Sequence, residues 1–254
     1  NSNNVSQYTV GAGGGLIAMT PATVAAGTGP ASVTVDPSGR YAYVANYNSN
    51  NVSQYTVGAG GGLIAMTTAA VAAGTNPISV VVDPSGKYAY VVNGSSNNVS
   101  QYTIGPSGSL IAMTTATVTA GTGPYSVTVD PSGKYAYVTN YGNNNVSQYT
   151  IGSSGGLIAM TPATVTAGTG PYSVTVDPSG KNAYAANGSS NNVSQYTIGP
   201  DGSLTSMTIA TVATGTGPVS VAVDPSGKNA YAANVNSNNV SQYRIGPDGS
   251  LIAM

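Results

Sequence analysis

The chain has 254 residues, a formal net charge of −1 and a charged fraction of only 5%. Its six basic residues are scattered and give no electrostatic footprint for nucleic acid. No apolar run approaches the roughly 18 residues that a membrane-spanning helix needs. We therefore expect neither a nucleic-acid partner nor membrane insertion, and the absence of cysteine excludes disulfide bonds.

Two short peptides recur at a constant interval along the whole chain. "NNVSQY" occurs six times, first at Asn3, and "VDPSG" occurs five times, with its first aspartate at Asp36. Every spacing is 47 residues, without insertion or deletion. A fixed period in the forties, built only of strand and turn segments, predicts one four-stranded β-propeller blade per repeat.

The four strands of a blade can be followed in the repeat that begins at Ser126. "YSVTVD" predicts the inner strand, "KYAYVTN" the second, "NVSQYTI" the third and "LIAMTPATVTAG" the outer strand. β-branched and aromatic residues favour these strands, and clusters of Gly, Pro, Asn and Asp mark the turns between them. No segment has helical periodicity, so the chain is predicted to be all-β.

We predict a single β-propeller domain over residues 1–254, made of four-stranded antiparallel blades. Its predicted blades are a partial blade 1–31, full blades 32–78, 79–125, 126–172 and 173–219, and a partial blade 220–254. Residues 1–19 duplicate residues 236–254, so the two ends are expected to combine into a fifth blade that closes the ring. The alternatives are a segment of a six- or seven-bladed ring, or of a polymer.

The "DPSG" segments have the composition of a tight hairpin between the first and second strands. Asp at the first turn position, Pro at the second and Gly at the fourth indicate a type I turn followed by a left-handed glycine. The aspartates are therefore interpreted as structural turn residues rather than catalytic ones. They are Asp36, Asp83, Asp130, Asp177 and Asp224.

Nearly all the charges are predicted to fall in connections that share one face of a propeller, which leaves the opposite face nearly uncharged; only Arg244, where the other copies have Thr, stands outside a turn. On that neutral face two positions vary between repeats, one after a loop proline and one after the second strand. Exposed tyrosines at these positions suit stacking on sugars or contact with a protein. The candidate ligand-binding residues are Tyr47, Tyr125, Tyr141 and Tyr172; the alternative is neutral drift in loops.

The composition offers few groups for catalysis. The chain has no His, Glu or Cys, and all seven acids are turn aspartates, so no acid–base pair or activated nucleophile is predicted. The usual nitrogen and sulfur ligands of transition metals are missing as well. We therefore expect no enzymatic activity, no catalytic residue, no metal and no cofactor.

The motif "NVS" is an N-glycosylation acceptor in every copy, and "NGS" adds Asn93 and Asn187. The alternative is that these asparagines simply shape the loops. The candidate glycosylation sites in the "NVS" motifs are Asn4, Asn51, Asn98, Asn145, Asn192 and Asn239.

"YVTN" at 137–140, "YVAN" at 43–46 and "YVVN" at 90–93 resemble the motif that names the YVTN family of β-propeller repeats. The resemblance covers essentially the whole chain. It implies kinship with surface-layer or secreted proteins and with lactonase-like propellers. Those enzymes would imply His, Glu or Arg in a central pocket, and no residue here matches them.

From these features we predict an extracellular or cell-surface structural module that assembles without catalysis. The predicted partners are further copies of the chain or components of the cell surface or matrix, with a glycan as another candidate. The first alternative is a lectin-like or adhesin-like binding module that uses the neutral face. The more remote alternative is a lactonase-like enzyme.

Overall fold

The computed structural model describes residues 2–254, and every regular element in that range is a β-strand. None of these residues belongs to a helix long and apolar enough to cross a membrane. The strands coincide with the β-branched and aromatic runs of each repeat, because such side chains fit a pleated and largely buried surface. Helix content is nil over the described range, as the sequence predicts.

The strands form one two-stranded sheet and five four-stranded sheets. The strands of the first three sheets are β1 (Asn4–Val10), β2 (Leu16–Ala25), β3 (Pro30–Val35), β4 (Tyr41–Asn46), β5 (Asn51–Val57), β6 (Leu63–Ala72), β7 (Pro77–Val82), β8 (Tyr88–Asn93), β9 (Asn98–Ile104) and β10 (Leu110–Thr119). The strands of the other three sheets are β11 (Pro124–Val129), β12 (Tyr135–Asn140), β13 (Asn145–Ile151), β14 (Leu157–Thr166), β15 (Pro171–Val176), β16 (Asn182–Asn187), β17 (Asn192–Ile198), β18 (Leu204–Ala213), β19 (Pro218–Val223), β20 (Asn229–Asn234), β21 (Asn239–Ile245) and β22 (Leu251–Ala253).

Each four-stranded sheet keeps its strands in chain order, so every connection is a short turn or loop. Two bulges recur in the register. In the sheet of β11 to β14, one makes Tyr125 the extra residue of the first strand, and the other lies between the third and fourth strands, where Gln148 alone faces residues 160–163 of β14. A β-bulge redirects the side chain of its extra residue. The bulges therefore set the directions of residues that a regular strand would place on one of its two faces.

Within residues Asn1–Thr117, the first compact unit, adjacent sheets are joined by buried polar side chains. The amide oxygen of Gln54 accepts a hydrogen bond from the backbone N–H of Leu110 at 2.6 Å. The hydroxyl of Tyr43 donates to the carbonyl of Gly108, also at 2.6 Å. Both side chains are almost wholly buried, so these bonds satisfy groups that would otherwise be costly to bury.

The second unit, Val118–Met254, repeats this pattern. Gln148 accepts from the N–H of Leu204 at 2.5 Å, and Tyr137 donates to the carbonyl of Gly202 at 2.7 Å. Around these bonds the core is apolar. One buried cluster consists of Tyr137, Val146, Val174, Ala183, Ala185, Tyr196 and Leu204. Gln148 and Tyr196 come from the "NNVSQY" peptide and Tyr137 from the "YVTN" strand, so all three are packing residues.

The repeat of four-stranded antiparallel sheets confirms the propeller fold predicted from the 47-residue period. The predicted completion of the last blade by the N-terminal outer strand is wrong in one detail: β22 is the fourth strand of that sheet, and β2 pairs with β1. The local reason is that residues 251–253 are adjacent in sequence to β21 and reach it through a short turn. The assignment of residues 1–254 to one domain stays a prediction.

Candidate functional site

The carboxylate oxygens of the hairpin aspartates accept hydrogen bonds from residues of the same turn. At Asp130, one oxygen accepts from the N–H groups of Lys134 and Tyr135 at 2.9 and 2.8 Å. The other accepts from the N–H and the hydroxyl of Ser132 at 3.0 and 2.5 Å. Gly133 follows at φ 70°, the left-handed position that the sequence pattern requires. The carboxylate is thereby occupied in turn geometry.

The same arrangement at Asp36 shifts its acidity. Burial raises the pKa of the Asp36 carboxyl, but hydrogen bonds from Ser38, Tyr41 and Arg40 together outweigh burial and lower that pKa below its ordinary value. The carboxylate form is the one that accepts these bonds, so they stabilise it. A carboxylate held in this way is a poor proton acceptor for catalysis.

The asparagines of "NNVSQY" organise the loops at the opposite ends of the strands. Asn191 adopts φ 55°, and its side-chain oxygen accepts from the N–H of Gly217 at 2.8 Å. The buried Asn187 donates its amide to the oxygens of Asn192 and Ser194 at 2.8 and 2.9 Å. These bonds fix the loops between the second and third strands relative to the loop that enters the next sheet.

These contacts affect which asparagines of the N-glycosylation motifs are accessible. Asn93 and Asn187 are fully buried, and each donates its amide nitrogen, the atom to which a glycan would attach, to two acceptors. In the folded chain they are therefore unsuited to modification. The "NVS" asparagines lie at the first residue of each third strand and are at least partly exposed. Their glycosylation stays a prediction.

Three of the four candidate tyrosines meet in the second unit. The rings of Tyr125 and Tyr172 are 4.7 Å apart between centroids and nearly perpendicular, at 89°. The ring of Tyr141 lies 4.9 Å from that of Tyr172 and is tilted by 49°. Tyr125 and Tyr172 are the bulge residues of β11 and β15, and this placement turns both rings toward the loops.

Beside these rings lies a cleft of about 410 Å³, which we call the loop cleft. Its volume falls in the range of about 300–1,000 Å³ that is common for small-molecule sites. Every side chain that lines it is uncharged. The lining residues are Tyr172, Gly188, Ser189, Asn191, Thr216, Gly217, Val219, Val235 and Asn236.

The loop cleft combines an aromatic ring, two valines and several hydrogen-bonding groups. The side-chain amide of Asn236 lies over Gly217. A Cβ atom added to Gly217 would be 2.6 Å from the amide nitrogen of Asn236. Tyr172 is the one titratable residue in the lining. Burial raises the pKa of the Tyr172 hydroxyl, and its hydrogen bond with Tyr141 raises that pKa further. The ordinary tyrosine pKa of 10.0 already keeps the hydroxyl protonated at neutral pH, and the raised pKa extends the range of pH over which it can donate a hydrogen bond.

Tyr47, the fourth candidate, lies in the first unit and lines a cleft of its own. That cleft has a volume of about 420 Å³ and includes Asn3, Gly29 and Asn48. Asn3, Gly29 and Asn48 occupy the same repeat positions as Asn191, Gly217 and Asn236 of the loop cleft, and Gly29 donates its N–H to Asn3 at 3.1 Å. In this repeat the bulge position holds Ala31 instead of a tyrosine. The cleft is therefore lined by one tyrosine, Tyr47, which lies in the loop after the second strand.

We expect Gly188→Ala to displace the ring of Tyr172 and to leave the fold intact. A Cβ atom at residue 188 would lie 2.5 and 2.6 Å from two carbons of that ring, and Gly188 has no left-handed φ. The aromatic NMR signals of Tyr172 should shift, while the free energy of unfolding should fall by less than about 1 kcal/mol. The matched control is Gly94→Ala, whose Cβ would meet Ile78 instead. Unchanged Tyr172 signals in Gly188→Ala would contradict this packing.

The sequence indicated three tyrosines of this region but not the rest of the lining. Asn191 and Thr216 occupy positions that are identical between repeats, and the position of Ser189 and Asn236 varies only among small polar residues and glycine, so the sequence did not single them out. The signal that could have found them is the pair of variable positions, because Val219 and Val235 are also in the lining. Across residues 2–254, no three acidic, histidine or cysteine side chains are grouped so as to hold a metal ion.

The fold and its loops define a β-propeller, and comparison with protein families identifies which one. The family model described as "Lactonase, 7-bladed beta-propeller" matches residues 2–253. The chain therefore belongs to the lactonase seven-bladed β-propeller family. No curated protein sequence is significantly similar to it.

Solved structures with the same fold include a Bacteroides uniformis protein provisionally described as a 6-phosphogluconolactonase. It is 23% identical, with a TM-score of 0.86 over 100% of this chain and 78% of its own. The periplasmic gluconolactonase of Pseudomonas aeruginosa is 22% identical, with a TM-score of 0.78 over 89% and 69%. A functionally unknown protein from Desulfotomaculum acetoxidans is 17% identical, with a TM-score of 0.78 over 91% and 71%. At these identities the likeness shows the fold alone.

Family membership corrects the functional prediction made from the sequence. The chain belongs to a lactonase family, so the prediction of a non-enzymatic structural or surface-layer module is wrong, and so is the exclusion of enzymatic activity. The resemblance is confirmed at the level of a lactonase-like propeller. The prediction was wrong because it took the absence of His and Glu to exclude catalysis. Neutral hydrogen-bond donors also stabilise the charge that develops on an acyl oxygen.

Proposed function

We propose that the chain is an enzyme that hydrolyses an uncharged sugar lactone in the loop cleft. One observation carries the proposal: a chain of a lactonase family has a cleft of about 410 Å³ whose lining is aromatic, amide, hydroxyl and aliphatic, without a formal charge. A sugar lactone has C–H faces that stack on a ring such as Tyr172. Its hydroxyl groups suit partners such as Asn236, Ser189 and Thr216.

The reaction requires attack by water on the acyl carbon and a place for negative charge on the carbonyl oxygen. In our proposal the protonated Tyr172 hydroxyl, which is hydrogen-bonded to Tyr141 in the free chain, donates to the carbonyl oxygen instead when substrate binds, and this bond strengthens as charge develops on that oxygen. Water adds to the carbon, the ring C–O bond breaks, and a proton passes to the departing ring oxygen. The products are a hydroxyl group and a carboxylate, with one proton released to solvent at neutral pH.

The absence of charge in the lining favours an unphosphorylated substrate. A phosphate group brings one to two negative charges that need charged or multiple polar partners when they leave water. No Lys or Arg lines the loop cleft. Five of the six basic residues follow the "DPSG" hairpins, at the opposite ends of the strands, and the sixth, Arg244, pairs with Asn229 near the same end.

We expect purified protein to hydrolyse glucono-1,5-lactone above the buffer rate, with kcat/KM level or rising from pH 6 to 9. The pKa of Tyr172 is raised above its ordinary value of 10.0, so the donating form persists throughout this range and is lost only above it. No other lining residue titrates. Proton release in a pH-stat, corrected for spontaneous hydrolysis at each pH, measures the profile.

Two outcomes would count against the proposal. Hydrolysis no faster than the buffer blank for glucono-1,5-lactone and for the lactones of galactonic and mannonic acid would remove the activity. A bell-shaped profile with both limbs between pH 5 and 8 would require an acid–base pair that the loop cleft does not contain. In that case the reaction would have to take place elsewhere on the chain.

An extracellular or cell-surface location is part of this proposal. The periplasmic gluconolactonase of Pseudomonas aeruginosa supports export for one protein of this fold, and the composition, with its few charges, supports it independently. The finer likeness to YVTN repeats, self-association, contact with cell-surface or matrix components, and glycan binding stay predictions.

A further inference from the structure

The rings of Tyr125 and Tyr141 form an exposed aromatic surface beside the loop cleft, which we call the tyrosine platform. Their exposed fractions are 38% and 40%. Both rings contact Tyr172, which lines the cleft, at centroid distances of 4.7 and 4.9 Å. Two large rings held at the mouth of a polar cleft form an apolar surface on which a ligand can stack.

The platform and the loop cleft are continuous. Ser189 lines the cleft, and its hydroxyl lies over Gly170 next to the edge of Tyr141. A Cβ atom at residue 170 would be 2.6 Å from that hydroxyl and 2.9 Å from the Tyr141 ring. A ligand that fills the cleft can therefore extend onto the platform without crossing a charged group.

Comparison between repeats shows that this pairing of rings is particular to one place. The two variable positions hold Ala31 and Tyr47 in one repeat and Ile78 and Gly94 in the next. Only the repeat with Tyr125 and Tyr141 has an aromatic residue at both, and the repeat after it adds Tyr172. The cleft around Tyr47 has one ring, which suits a single sugar ring.

We propose that the tyrosine platform is a second subsite, so that the preferred substrate is a lactone carrying at least one further sugar ring, such as an aldonolactone of a disaccharide. The inference rests on the proposed function, since it assigns the lactone ring to the loop cleft and the attached sugar to the platform. Stacking on aromatic faces and an uncharged surface both favour a neutral sugar over a charged group.

The test compares glucono-1,5-lactone with the 1,5-lactones of cellobionic and maltobionic acid. For the unmodified chain we expect kcat/KM to be at least about 5-fold higher for one of the disaccharide lactones. Tyr125→Ala and Tyr141→Ala should remove this preference, measured as the ratio of kcat/KM for the two-ring lactone to kcat/KM for glucono-1,5-lactone in the same variant. Tyr125→Phe and Tyr141→Phe, which keep the rings, should retain the preference.

Equal kcat/KM for the single-ring and two-ring lactones would overturn the second subsite while leaving the proposed hydrolysis in place. If no lactone is hydrolysed, the proposed function fails, and calorimetric titration with cellobiitol, maltitol and glucitol decides the subsite separately. Tighter binding of either two-ring alditol, lost in Tyr125→Ala, supports the platform. No difference between the one-ring and two-ring alditols overturns it.

Discussion

Replacing Asp130 with alanine is expected to lower the free energy of unfolding by about 3 kcal/mol. The carboxylate is only 4% exposed and accepts from three backbone N–H groups and one hydroxyl, at distances of 2.5 to 3.0 Å. The substitution removes the acceptor that these three N–H groups share, at a position where the side chain itself is almost inaccessible to water. Urea unfolding followed by circular dichroism measures the change.

The control is Asp201→Ala. Asp201 also lies in a turn, but its carboxylate is exposed and accepts only from the N–H and hydroxyl of Ser203. A much smaller effect is expected, because water can replace the lost bonds. Equal losses at the two sites would mean that burial of the hairpin carboxylate does not govern its contribution to stability.

Tyr172→Phe is expected to reduce kcat/KM for an uncharged sugar lactone by about 10- to 100-fold, with most of the loss in kcat. The ring remains and keeps its contacts with Tyr125 and Tyr141, so binding through stacking should persist. What disappears is the one phenol hydroxyl in the lining, which is protonated at neutral pH and able to donate a hydrogen bond. Steady-state kinetics at pH 7 separate kcat from KM.

Tyr125→Phe is the matched control for this substitution, because Tyr125 contacts Tyr172 but does not line the loop cleft. It should leave kcat within a factor of about 2 of the unmodified chain. A loss confined to KM in Tyr172→Phe would show that the hydroxyl contributes equally to the bound substrate and the transition state. An unchanged kcat/KM would remove Tyr172 from the proposed chemistry.

The strands and hairpins could be predicted from the sequence because they depend on local signals that repeat every 47 residues. The "DPSG" segment contains both its hydrogen-bond acceptor and its left-handed glycine. The meeting of Tyr125, Tyr141 and Tyr172 depends instead on two bulges and on loops from different repeats. Sequence spacing placed these rings on one face but could not place them in contact.

The role of Gln148 shows a second limit of sequence reasoning. Gln148 pairs in regular register with Tyr137 of β12, but its side chain accepts from the N–H of Leu204 in the next sheet, a partner 56 residues away that no local pattern indicates. Functional prediction failed for a related reason. Absent residue types are visible in a sequence, whereas an uncharged cleft formed by three loops and two strand residues becomes visible only after folding.

The central claim is that the uncharged loop cleft selects an uncharged lactone. The most direct measurement is the ratio of kcat/KM for glucono-1,5-lactone to that for 6-phosphoglucono-1,5-lactone, at low ionic strength and corrected for spontaneous hydrolysis. We predict at least about 10-fold preference for the unphosphorylated lactone, because no cation in the lining offsets the desolvation of phosphate. Faster turnover of the phosphorylated lactone would contradict the claim.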